Sequence, residues 1–163
     1  MIPEIRKALS SDVRAITEIY NEAILTTTAT FDIETKTVVS QRKWFKAHGE
    51  RNPVLVAIIE GQVVGWVSLS EYSTRCAYAD TVELSLYIKE EFRNQGIGKR
   101  LMAAVISEGQ KIGLHTVISR IAGGNDISIR LHKKFGFKDV GVMKEVGNKF
   151  GKLLDVYIMQ KIY

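Results

Sequence analysis

The run Arg93-Asn94-Gln95-Gly96-Ile97-Gly98 constrains this chain most, because an alternating apolar stretch precedes it and a helical pattern follows. The stretch before it, Thr81-Val82-Glu83-Leu84-Ser85-Leu86-Tyr87-Ile88, reads as a strand with Glu83, Ser85 and Tyr87 on one face. After it, Leu101, Met102, Val105, Ile106 and Ile112 form the apolar face of a helix that Gly113 ends, and residues 116–121 read as another strand. A strand-turn-helix-strand unit of this kind places its two strands in parallel. The two glycines allow a tight turn with several amides pointing one way, and the helix beginning near Gly98 adds its own unpaired N–H groups and positive dipole end. That is a site for an anion such as a pyrophosphate. It is not a dinucleotide fingerprint, which needs glycine where Leu101 stands. Nor is it a Walker A loop, which needs glycine where Arg93 stands.

The flanking sequence extends the unit into a mixed α/β domain. Residues 2–7 form a short first strand. Ser10 or Ser11 caps a helix with Val13, Ile16, Ile19, Tyr20, Ala23 and Ile24 on one face, and Ser40 caps a second helix carrying Trp44 and Phe45. Residues 54–59 and 63–69 make an antiparallel hairpin turning at Gly61-Gln62. Asn125 or Asp126 caps a later helix with Ile127, Leu131 and Phe135 inward and Gly136 as its stop; residues 138–143 and 153–159 are closing strands. No internal repeat is present, and residues 1–163 read as one domain with helices on a partly antiparallel sheet.

Composition narrows the function. With 45% hydrophobic and 25% charged residues, 163 residues can bury one sizeable core. No apolar run approaches a membrane span and the N-terminus lacks a signal-peptide pattern, so a cytoplasmic protein is expected. Cys76 is the only cysteine, which excludes an intramolecular disulfide and a cysteine-based zinc site. The net charge of +5 fits nucleic acid or a small polyanion. Lys89, Arg93, Lys99 and Arg100 gather around the glycine turn, which favours the small polyanion and no nucleic acid.

The order of elements, with Arg93-x-x-Gly96-x-Gly98 after the third central strand, resembles the GNAT acyl-CoA N-acyltransferases over essentially the full length. A second stretch, Asn125-x-x-Ser128-x-x-Leu131-His132-x-Lys134-x-Gly136-Phe137, is similar to the GNAT acceptor-side helix, which runs Asn-x-x-Ala/Ser-x-x-x-Tyr-x-x-x-Gly-Phe. The resemblance implies a mostly antiparallel mixed sheet of about seven strands flanked by four helices, and acetyl-CoA as co-substrate with no metal. Within that superfamily, four stretches resemble the phosphinothricin acetyltransferases, which acetylate the α-amine of small amino acids such as phosphinothricin and methionine sulfoximine. These are Thr30-Phe31, Arg75-x-x-Tyr78-x-x-Thr81-Val82-Glu83, Gly124 to His132, and Lys149-x-Gly151-x-x-x-Asp155-Val156. Similar sequences usually carry Trp where Leu153 stands here.

An amino-acid amine is protonated at neutral pH, so its acetylation needs a base. The resemblance implies Glu83 in that role; the plainer alternative is an edge carboxylate paired with a nearby Arg or Lys. It also implies that the main chain of Leu86, Tyr87 and Ile88 pairs with the pantetheine amides as an added strand. Asn94, Gln95, Gly96, Ile97, Gly98 and Lys99 then hold the pyrophosphate with charge from Arg93. Asn125 contacts the pantetheine arm, with His132 and Lys134 close to the cofactor. His132 stands where many GNAT enzymes carry Tyr, which raises it as a candidate acid for the leaving thiolate. Arg75, flanked by Tyr72, Ser73, Thr74 and Tyr78, is a candidate grip for the acceptor carboxylate. Phe31 and Lys149 are further pocket candidates, and a homodimer is implied. Acetylation of peptide N-termini, or a non-catalytic CoA-binding or nucleic-acid module, stand as alternatives.

Overall fold

A computed structural model describes all 163 residues. Seven strands, β1 (Glu4–Lys7), β2 (Val54–Ile59), β3 (Gln62–Glu71), β4 (Thr81–Ile88), β5 (Thr116–Ala122), β6 (Lys138–Lys149) and β7 (Lys152–Ile162), form one sheet in the order β1-β2-β3-β4-β5-β7-β6. Every neighbouring pair is antiparallel except β4 and β5. Four helices cover it: α1 (Val13–Thr26), α2 (Val38–Ala47), α3 (Ile97–Ile112) and α4 (Asp126–Lys134).

The hairpins turn where two consecutive residues take positive φ, the geometry that matches strand twist. These are Glu60-Gly61, one residue earlier than the sequence suggested, and Phe150-Gly151. The closing hairpin is longer than residues 138–143 and 153–159. Its bulge between Met143 and Gly147 is held by Asp155, which accepts from Glu145 N at 2.8 Å and Lys144 Nζ at 3.1 Å. Thr37 caps α2, its Oγ1 accepting from Ser40 N at 3.1 Å, so Ser40 lies inside the first turn. Asn125 caps α4, but Ile127 points outward, 60% exposed; Ile129, Leu131 and Phe135 pack inward instead.

Alternation along the strands sorts the core onto two faces. Leu55, Ala57, Val82, Leu84, Val117 and Ile121 join Ile97, Leu101, Met102 and Val105 of α3, with α4 on the same side. Val54, Val56 and Trp66 join Ile16 and Ile19 of α1, with α2 beside them. The sheet therefore has an α3–α4 face and an α1–α2 face.

One irregularity shapes the rest. β4 and β5 pair only over residues 81–83 and 116–118. Beyond that point β4 follows β3 and β5 follows β7, so residues 84–88 and 119–122 diverge. Main-chain groups facing this opening have no ladder partner across it.

Candidate active site

At the end of β4 the chain makes a 3-10 turn (Glu90–Phe92) and then reverses through Asn94 at φ 60° and Gly96 at φ 82° into α3. Main-chain N–H groups from Asn94 to Lys99 find no acceptor in the chain. They converge at a helix N-terminus, which suits a phosphate-bearing ligand. Gly98 allows α3 to start close to its neighbours: an added Cβ would lie 3.3 Å from Ile88 Cδ1 and 3.5 Å from Leu131 Cδ2. Arg93 acts on the scaffold. Its Nε donates to Ile88 O at 3.0 Å and Nη2 stands 3.8 Å from Glu22 Oε2, which also accepts from Glu90 N at 3.0 Å. The Ile88 carbonyl is therefore already engaged, and Tyr87, two residues before the Lys89 N–H that donates to Val64 O, turns its main-chain groups to Trp66 of β3, which leaves Leu86 and the Ile88 N–H facing the opening.

A cavity of about 600 Å³ fills the divergence of β4 and β5 and reaches both faces of the sheet. Leu86, Asn125, Leu131 and His132 line it on the α3–α4 side. Tyr20, Phe31, Asp32, Glu83, Ser85 and Arg120 line it on the α1–α2 side. The first wall is an apolar slot leading from the glycine turn, and the second is polar.

The polar wall is organised by one ion pair. Arg120 Nε and Nη2 donate to Glu83 Oε1 and Oε2 at 2.7 and 2.8 Å. Arg120 is two residues beyond Ile118, the register partner of Glu83, and so shares its face. The Glu83 hydrogen bonds hold the guanidinium above its ordinary range despite partial burial. Both readings of Glu83 thus meet in one place: a cavity-lining carboxylate that also has an arginine partner.

The segment between α1 and α2 closes over this wall through contacts distant in sequence. Tyr20 Oη bonds Asp32 and stands 3.0 Å from Thr30 Oγ1. Phe31 lies against Gly147, where an added Cβ would fall 2.3 Å from its ring. Lys149, 4% exposed, donates to Thr30 O at 2.7 Å, and burial lowers its pKa.

The sequence model of the acetyltransferase (GNAT) family matches residues 16–137. The chain belongs to the GNAT acetyltransferase family. It is 36% identical over 162 residues to an L-methionine sulfoximine/L-methionine sulfone acetyltransferase of Pseudomonas paraeruginosa, covering 98% of this chain and 94% of that protein. Among solved structures, a GNAT phosphinothricin acetyltransferase of Sinorhizobium meliloti in complex with acetyl-CoA superposes with a TM-score of 0.95 at 35% identity, covering 99% of this chain and 89% of the other. A ribosomal-protein-alanine N-acetyltransferase of Brucella melitensis gives 0.94 at 37% identity, with 98% and 99% covered. Acetyl-CoA is the donor in this family, and the free amides and apolar slot are suited to its pyrophosphate and pantetheine arm.

Not all the candidate residues gather at this GNAT cavity. Glu83, Leu86, Tyr87, Asn125, His132 and Phe31 line it, and Asn94 to Lys99 form the turn. Tyr72, Ser73, Thr74, Arg75 and Tyr78 do not. They occupy the β3–β4 connection, where Tyr72 and Tyr78 stack edge-on at 5.3 Å and Arg75 is exposed. Lys134 is exposed in the last turn of α4, and Lys149 is committed to Thr30.

His132 is on the wall but poorly suited to donate a proton. Its Nδ1 lies 2.7 Å from Ser128 O, which can only accept, so Nδ1 carries the hydrogen. Nε2, 2.9 Å from Ser119 Oγ, then accepts from it, and burial lowers the imidazole pKa. The ring is neutral at physiological pH.

Arg120, Tyr20 and Asp32 were not among the sequence candidates. Arg120 carried a signal, a charged residue within the apolar run Val117-Ile118-Ser119-Arg120-Ile121. A second cavity of about 380 Å³ adjoins the first, sharing Tyr20, Asp32, Ser85 and Tyr87 and adding Trp44 and Trp66. The buried indole N–H of Trp66 has no acceptor. Burial pushes the Tyr87 hydroxyl up to about 12, so it stays protonated there as a donor.

Proposed function

We propose that the protein transfers acetyl from acetyl-CoA to the α-amine of small amino-acid-like acceptors of the methionine sulfoximine, methionine sulfone or phosphinothricin type. The observation that carries this reading is the cavity through the sheet, with an apolar slot and free amides on one face and the Glu83–Arg120 pair on the other. A donor thioester and a zwitterionic acceptor enter from opposite faces and meet where β4 and β5 part. Names of relatives over nearly the whole chain support the acceptor class. The contacts of Phe31 with Gly147 and Lys149 with Thr30 close the acceptor wall, which suits a small molecule.

Acetyl-CoA supplies an activated acyl group, so the protein needs no nucleophile of its own. Cys76, the one thiol, is exposed and lies outside the cavity. The task of Glu83 is to take a proton from the acceptor ammonium and expose its lone pair. Leu86 and the Ile88 N–H offer main-chain groups to orient the pantetheine arm, and the role of an N–H in this stretch is to polarise the thioester carbonyl.

The Brucella relative's name favours a second reading, acetylation of peptide N-termini. A thiol-release assay decides: acetyl-CoA with methionine sulfone, methionine sulfoximine, phosphinothricin and a panel of N-terminal peptides. Turnover of the amino acids supports the proposal, whereas turnover confined to peptides overturns it.

The same reading has the chain, as one domain, acting as a homodimer in the cytoplasm. β6 is the sheet's edge strand and exposes Val140, Val142, Met143 and Val146, with Phe150 and Leu153 beyond. Met143 and Val146 also line the cavity, so a second copy over this edge would complete its mouth. Sedimentation analysis giving a monomer at assay concentration would remove this part. No helix is long and apolar enough to cross a membrane.

A further inference from the structure

We propose that Arg120 holds Glu83 inactive in the free enzyme, and that the acceptor's own carboxylate takes over the guanidinium and thereby releases Glu83 to act as base. The inference rests on the amino-acid reading above and adds a control step to it.

With both oxygens of Glu83 bonded to Arg120 at 2.7 and 2.8 Å, the carboxylate has its best-placed lone pairs occupied. A base in that state accepts a proton from an ammonium group poorly. Yet the pair stands in the cavity wall where an acceptor would come, and the Arg120 side chain is 57% exposed, open to a competing anion. No other lysine or arginine lines this cavity. The other carboxylate there, Asp32, is engaged by Tyr20 and lies 3.7 Å from Lys36. Arg75 is outside the wall, which leaves Arg120 as the carboxylate grip.

An amino-acid zwitterion is the complement of this pair. Its carboxylate and ammonium sit on one carbon, and Arg120 and Glu83 present their opposite charges side by side. Partner exchange replaces one bidentate guanidinium–carboxylate contact with another and gives the ammonium to Glu83. One ammonium proton then moves to Glu83 and the nitrogen lone pair bonds to the thioester carbonyl carbon. The carbon–sulfur bond breaks with its electrons on sulfur. The nitrogen's surplus proton neutralises the CoA thiolate, and Glu83 returns its own to solvent. An amine lacking the carboxylate has nothing to offer Arg120, so Glu83 stays occupied even when the site is saturated. Selectivity for amino acids would then appear in kcat as well as in KM.

The test compares L-methionine sulfone with its decarboxylated form, 3-(methylsulfonyl)propan-1-amine, in wild type, Arg120→Ala and Arg120→Gln, with acetyl-CoA binding measured by calorimetry to show that each variant is folded. In wild type, kcat for the amine is expected about 100-fold or more below that for the sulfone. Removing Arg120 is expected to raise kcat for the amine about tenfold while raising KM for the sulfone. Each acceptor is compared with itself across variants, so differences in amine basicity cancel. Equal wild-type kcat for the two acceptors overturns the proposal, as does an amine kcat that stays level or falls in both variants. Wild type that turns over peptides and not the sulfone overturns the amino-acid reading itself, and this inference with it.

Discussion

On the α3–α4 face, the groups available to a ligand are mostly main chain, the amides of residues 94–99 and the unpaired edge of β4, with Asn125 added. On the α1–α2 face they are side chains drawn from α1, β4, β5, β6 and the segment between the first two helices: Tyr20, Glu83, Arg120, Met143, Phe31 and Asp32. Main-chain sites depend on φ and on where strands part, and they tolerate many side chains. Side-chain sites depend on which distant segments touch. One face is therefore suited to an invariant donor and the other to a selective acceptor.

That division can be broken most forcefully at Glu83. Glu83→Gln is expected to lower kcat about 100-fold or more in the thiol-release assay, with the acetyl-CoA dissociation constant unchanged by calorimetry. A weakened donor with normal kcat would mean that Glu83 serves the other face. Next in size is Gly96→Ala, which forces a side chain onto a residue at φ 82°. Strain of about 1–2 kcal/mol should raise KM for acetyl-CoA roughly tenfold and leave the acceptor KM alone. Its counterpart is Gly147→Ala, whose methyl would collide with the Phe31 ring. An increase of about threefold in acceptor KM, with acetyl-CoA unaffected, is expected as the ring moves aside. If both glycine variants moved both KM values equally, the faces would not be separable.

The smallest effect concerns pH. His132 and His48 have lowered pKa values, chiefly from burial. Each favours folding fully above its unfolded value near 6.5. This contribution is lost as pH falls toward the depressed folded value, because the unfolded chain then binds more protons. The Tm should therefore decline as pH drops below about 6.5, and His132→Gln should flatten part of that slope in a thermal melt followed by circular dichroism.

The two faces also differed in how far the sequence revealed them. The glycine turn, the strand before it and the Asn125 cap were legible because each is a local pattern: positive φ at glycine, period two, a cap beside a helical period. Ile127 misled because inward position on a nine-residue helix depends on how that helix rolls against the sheet, which its own period does not set. Ser40 misled because Thr37, three residues earlier, supplies the cap. Arg75 attracted attention as an arginine just before the Glu83 strand, but its loop turns outward and Arg120 from β5 takes the place beside Glu83.

What the sequence by itself determined was the strand-turn-helix core, the glycine turn, Glu83 on the polar face of β4 and membership of the family. The first three follow from backbone preference and periodicity over a few residues, and membership from the resemblance of the glycine turn and the Asn125 stretch to the family's motifs. Only the tertiary structure decided that β4 and β5 pair for three residues and then part, that Lys149 spans to Thr30, and that Arg120 closes on both oxygens of Glu83. Such contacts join residues 35 to 119 positions apart. They are set by how the twisted sheet and its helices pack together, which no local pattern encodes.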